Sequence, residues 1–142
     1  MSVINLSAQS FGATIDNNDL VLVDFWAAWC GPCRNFAPVF DAASERHPDV
    51  TFGKVDTEEE QDLAGYFNIQ SIPTLMIFRE KVLLYAQPGA LPPSALEELI
   101  QKAKALDMNE VRAQIAEAQA AKQAAGEMDA DEPDSSGQGP QA

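Results

Sequence analysis

Residues 19–26, Asp-Leu-Val-Leu-Val-Asp-Phe-Trp, include an apolar run broken by a single acid. A stretch this short, rich in Val, Phe and Trp, favours a strand covered on both faces over a helix. Such a strand must sit in the middle of a sheet with helices on either side. Pro32–Glu45 reads as one of them, with Phe36, Val39, Phe40 and Ala43 inward and Pro38 expected to kink it. Val50–Val55 is a further strand. Thr57-Glu-Glu-Glu60 has the form of a capping box opening a short helix through Tyr66. Thr74–Phe78 and Val82–Ala86 read as a hairpin joined by Arg79-Glu-Lys81. Ser94-Ala-Leu-Glu97 is a second capping box, before a helix with Leu96, Leu99, Ile100 and Ala103 inward. The order β-α-β-α-β-β-α, after a short amino-terminal region, predicts an α/β domain with a central mixed sheet flanked by helices.

The 142 residues suit one such domain with an appendage. Residues 1–104 form the expected domain. Residues 105–125 are expected as a helical extension, because Asp107–Ala125 is rich in Ala, Glu and Gln, and Met108, Val111, Ile115 and Ala118 make a narrow apolar stripe. That stripe packs on the domain or meets a partner. Residues 126–142 are acidic, without a basic or aromatic residue, and are expected as a disordered tail. The formal charge of -13 opposes binding to nucleic acid or to an anionic membrane surface. No run reaches the roughly 20 apolar residues of a membrane span. The amino terminus lacks a secretory pattern, which gives a cytoplasmic expectation.

The chemistry concentrates in Trp29-Cys-Gly-Pro-Cys33, between the buried strand and the first helix. Two thiols at this spacing can close a small ring. The helix start, with its unpaired amides and its dipole, favours a thiolate on Cys30. Cys33, one turn on, is placed to attack a mixed disulfide formed on Cys30. Gly31 permits close backbone approach, and Pro32 suits a first helical turn. A zinc half-site is the alternative, but a structural zinc wants four ligands; there is no second cysteine pair and His47 is the sole histidine. Neither metal nor cofactor is expected, since the thiols carry the electrons. Asp24, an acid in the most apolar strand, is suited by burial to proton transfer or to a local hydrogen-bond network. Trp29 either lines a substrate surface or is merely packed. The Glu58–Glu60 run reads as a solvated helix start, and His47, beside Pro48, as a capping or surface residue.

Val21-Leu-Val-Asp-Phe-Trp-Ala-Ala-Trp-Cys-Gly-Pro-Cys33, Ile72-Pro-Thr74 and Gly89-Ala-Leu91, in that order, resemble the thioredoxin family over about residues 3–104. The resemblance implies a thioredoxin-like fold and reduction of protein disulfides in client proteins, with a thioredoxin-reductase-type electron donor. It implies that Asp24 assists deprotonation of Cys33, with Lys54 beside it. It also implies a cis Pro73 next to the dithiol, with the backbone of Ile72 open to a client strand, and a loop at Gly89 and Ala90 completing the surface. Gly-Pro between the cysteines goes with reductants in that family. Three departures stand out: the Arg79-Glu-Lys81 turn lacks an Asn-Gly-type pair, Pro88 replaces a branched apolar residue, and residues 105–142 have no counterpart. The competing reading is a binding or chaperone-like protein whose helix 107–125 engages a partner.

Overall fold

The computed structural model describes residues 2–131. The chain divides into two units, Met1–Ala105 and Leu106–Ala142. In the first, β1 (Val3–Asn5), α1 (Ala8–Asn17), β2 (Leu20–Trp26), α2 (Gly31–Arg46), β3 (Thr51–Asp56), α3 (Gln61–Tyr66), β4 (Thr74–Arg79), β5 (Val82–Pro88) and α4 (Pro93–Ala105) follow in order. The five strands form one sheet, β1-β3-β2-β4-β5. β1, β3 and β2 run parallel, while β4 is antiparallel to both β2 and β5. The mixed sheet flanked by helices is the expected fold.

Side chains alternate across β2, so one strand serves two cores. Leu20 and Leu22 pack with Phe36 and Phe40 of α2 and Leu96 and Ile100 of α4. Val21, Val23 and Phe25 pack with Phe11 and Ile15 of α1 and Leu63 of α3. The period of two puts Asp24 and Trp26 on the first of these faces, beneath α2. At Gly53 of β3 an added Cβ would lie 2.5 Å from Cδ1 of Leu6, so the glycine lets the chain after β1 close over the sheet.

Several local expectations are corrected. β1 and α1 occupy the amino-terminal region that carried no assignment. Their signal was concealed because α1 is capped by Ser7 and Ser10 reciprocally, with serine where a capping box usually has Glu or Gln. Thr57 does not cap α3: the helix begins at Gln61, and the Thr57 hydroxyl and amide both donate to the Trp26 carbonyl. Ser94 lies inside α4 rather than before it, and Glu97 turns away to His47 and Gln101. His47 ends α2 but is not a surface residue. Its buried ring has Nε2 2.9 Å from Glu97 and Nδ1 3.0 Å from the Lys104 ammonium, joining α2 to α4. α2 continues through Pro38.

The β4–β5 turn has Glu80 at φ 51° and Lys81 at φ 72° between the paired Arg79 and Val82. Positive φ at both central positions is the signature of a type I′ two-residue hairpin turn. Here it is imposed on side-chain-bearing residues, and the Glu80 amide is held by the Asp19 carbonyl at 2.7 Å.

In the second unit, α5 spans Met108–Asp131. Asp107 caps it, its Oδ1 accepting the amides of Asn109 (3.0 Å) and Glu110 (3.4 Å). The helix runs past the expected boundary at 125. The remainder of the expected disordered tail, residues 132–142, lies outside the described residues.

Candidate active site

β2 delivers the chain to the top of the sheet, and α2 starts there with Cys30 as its amino-terminal cap. The Cys33 amide donates to Cys30 Sγ at 3.1 Å, so the sulfur occupies the position where a helix start takes up negative charge. Cys30 and Cys33 are joined as a disulfide, with Cα atoms 5.2 Å apart. Both residues are almost fully buried. Gly31 and Pro32 form the first turn; Pro32 is exposed and Gly31 half-buried.

The Ile72–Pro73 peptide is cis. The Ile72 carbonyl lies 3.7 Å from Cys30 Sγ, so this segment is in contact with the disulfide. The Thr74 hydroxyl donates to the Ser71 carbonyl and closes the loop around it. Gly89, at φ 116°, donates its amide to the Pro73 carbonyl at 2.8 Å. That conformation suits glycine, and it brings Gly89 and the exposed Ala90 alongside the cis segment. Pro88 pairs in register with Thr74 at the end of β5.

On the face of β2 that lies under α2, Asp24 is 3% exposed, and its Oδ1 has no protein partner among the described residues. Burial pushes its carboxyl up to about 7, against the pull of Lys54, with Asp41 adding a smaller upward push. Lys54 is the register partner of Asp24 across β2–β3, and its ammonium sits 5.2 Å above the Trp26 ring. Trp26 packs against Ala27, Cys30 and Cys33. A buried carboxyl that titrates near neutrality can hold or release a proton in that range.

Trp29 is 67% exposed immediately before Cys30. Its indole N–H donates to Glu58 Oε2 at 3.1 Å. The Arg34 guanidinium donates to the Ala28 carbonyl at 2.9 Å. Neither contact was legible in the sequence, where Glu58 counted as solvated. A carboxylate and a tryptophan 29 positions apart carry no local pattern.

The thioredoxin family profile matches residues 2–102. The chain belongs to the thioredoxin family. It is 55% identical over 119 residues to the putative thioredoxin 2 of Streptomyces coelicolor, covering 84% of this chain and 89% of that one. The thioredoxin of Porphyra purpurea is 44% identical over 104 residues, 72% of this chain and 97% of the relative. Among solved structures, Plasmodium falciparum thioredoxin has a TM-score of 0.65 at 37% identity, covering 70% of this chain and 96% of its own. A mutant thioredoxin of Halobacterium salinarum has a TM-score of 0.69 at 31% identity, over 75% and 94% of the two chains. The Streptomyces match is longer than Met1–Ala105, so it takes in part of the segment after the domain. A thioredoxin fold with the Cys30–Cys33 pair at the start of α2 makes this chain a protein-disulfide reductase that works by dithiol exchange. Of the expected site residues, the fold gathers Cys30, Cys33, Trp29, Gly31, Pro32, Ile72 and Pro73 at one end of the sheet, with Gly89 and Ala90 beside Pro73. Asp24 and Lys54 face each other in register across β2 and β3. No helix among the described residues is long and apolar enough to cross a membrane.

Proposed function

We propose that the chain is a general reductant of client-protein disulfides in the cytoplasm, recharged by a thioredoxin-reductase-type donor, with the two sulfurs in distinct roles. The observation that carries this assignment is the Cys33 amide directed at Cys30 Sγ. In the reduced protein the Cys30 thiolate attacks one sulfur of the client disulfide, forming a mixed disulfide and expelling the other client sulfur as a thiolate. The Cys33 thiol passes its proton to the Asp24 carboxylate and attacks Cys30 Sγ. The second client sulfur leaves as a thiolate and the Cys30–Cys33 disulfide forms. Two electrons have then passed from the dithiol to the client, and two from the donor restore it. Lys54 favours the ionised form of Asp24 and so keeps a base available near neutral pH. A client strand pairs with the Ile72 backbone beside Pro73, bordered by Trp29, Gly31, Pro32, Gly89 and Ala90. Gly-Pro between the cysteines and the confinement of both cysteines to this site support the reductant reading.

The expected outcomes are separable. Cys30→Ser abolishes mixed-disulfide formation, whereas Cys33→Ser accumulates clients bound through Cys30, both read by mass spectrometry after quenching. Trapping by Cys30→Ser, with none by Cys33→Ser, reverses the assignment. The alternative, a binding protein using helix 107–125, predicts that client retention survives Cys30→Ser while reductase-coupled turnover is negligible in the native chain.

A further inference from the structure

Trp29 projects into solvent, and among the described residues its indole makes one polar contact, the bond to Glu58. An exposed aromatic ring with two rotatable bonds samples several orientations unless something selects one. The acceptor that selects it is itself held. The Glu58 amide donates to Asp56 Oδ1 at 2.9 Å, and the Glu60 amide to the Asp56 carbonyl at 2.8 Å, closing a tight turn after β3. Thr57 ties that turn to the last residue of β2, its amide (2.9 Å) and hydroxyl (3.0 Å) both on the Trp26 carbonyl. Trp29 leaves the sheet three residues later. On the other side, Arg34 holds the Ala28 carbonyl, and the Cys30 amide donates to the Ala27 carbonyl at 3.2 Å. The segment carrying Trp29 is therefore braced along its length, and Glu58 extends the bracing to the ring.

The residue type needs a reason. Glu58 is exposed, so solvent screens its charge, and the contact it makes at the site is through one carboxylate oxygen. Its presence there is accounted for if its oxygen, rather than its charge, is what the site uses.

We propose that Glu58 is a positioning residue of the reductase: it fixes the Trp29 indole in the orientation that receives the client chain. The proposal rests on the reading of Trp29 as a client contact. The ring is pre-ordered before the client arrives, so binding does not have to immobilise it. The bond does not touch the sulfurs or Asp24, so the effect falls on client capture rather than on release.

The test is steady-state reduction of insulin by the full chain with a thioredoxin reductase and NADPH. It compares Glu58→Ala, Glu58→Gln, Trp29→Phe and the Glu58→Ala/Trp29→Phe double variant. Urea unfolding of each variant confirms that it is folded, and NMR exchange of the Trp29 indole proton follows the bond directly. Glu58→Ala is expected to raise KM for insulin on the order of twofold to tenfold, the range for leaving one side chain to be immobilised on binding, with kcat unchanged. Glu58→Gln retains an acceptor and is expected to keep both the KM and the slow indole exchange. In the Trp29→Phe background, which has no N–H, Glu58→Ala is expected to add nothing. A Glu58→Gln as impaired as Glu58→Ala, or an undiminished Glu58→Ala effect in the Trp29→Phe background, overturns the proposal by showing that charge acts without the indole. If Trp29→Phe raises KM and Glu58→Ala does not, the positioning role falls alone. If Trp29→Phe leaves KM unchanged, the client-contact reading falls and takes the positioning role with it.

Discussion

Replacing Asp24 by Asn should make the protein more stable, and by an amount that depends on pH in a defined way. The carboxyl is pushed from 3.8 to about 7 in the fold. That is a rise of about three units, each worth about 1.4 kcal/mol. The unfolded chain ionises first as pH rises. The native state therefore loses stability relative to it from about pH 4 upward, until the buried group also ionises near pH 7 and the loss levels off at about 4 kcal/mol. Below pH 4 the acid is neutral in both states and Asn is its near-isostere, so the two proteins should match. The difference between Asp24→Asn and the parent should thus grow from near zero at about pH 4 to about 4 kcal/mol at pH 8. Urea unfolding of the disulfide-bonded forms across that range measures it without interference from thiol titration. A difference that stays constant with pH, or a less stable Asn variant at pH 8, would refute the reasoning. The same substitution should slow client release near neutral pH, since an amide cannot take the Cys33 proton.

Three other outcomes are expected, two from local geometry and the last from the Gly31-Pro32 pair between the cysteines. Lys81→Gly should raise stability by about 0.5–1 kcal/mol, because φ of 72° costs a side-chain-bearing residue more than it costs glycine; thermal unfolding reads this. Gly53→Ala should lower stability by about 1–3 kcal/mol, since the new methyl meets Leu6 and the chain there must shift; denaturant titration measures it. The reduction potential should lie nearer about −270 mV than about −120 mV, as equilibration against a glutathione buffer will report.

What the sequence disclosed and what it withheld follow one physical division. The buried strand Leu20–Trp26 was legible because burial on both faces demands an apolar run, and the dithiol because its spacing and its place before a helix are local. Asp24 stood out as an acid where none belongs. The cap of α1 was illegible because Ser10 takes the place of a longer side chain, and the two expected capping boxes failed because Thr57 and Glu97 found partners remote in sequence. The Trp29–Glu58 bond and the burial of His47 between Glu97 and Lys104 likewise depend on elements brought together only by folding. Local patterns report local chemistry; the bracing of the site is a product of the tertiary fold.

The sulfur that caps α2 has a consequence for how the protein cycles. A cap is normally a fixture, and losing one frays a helix. Here the capping atom is also the atom that is oxidised and reduced, and the amide it receives is carried by its own partner cysteine. A thiolate at Cys30 can accept that amide as the disulfide sulfur does, so the first turn keeps its acceptor on both sides of the reaction. Little has to be rebuilt between one turnover and the next. The same bond sets opposing demands, since an amide that holds the thiolate more strongly makes more nucleophile available while leaving it less inclined to give up its electrons. A reductant built this way works between readiness and driving force, and the Cys33 N–H is one of the groups that set the balance.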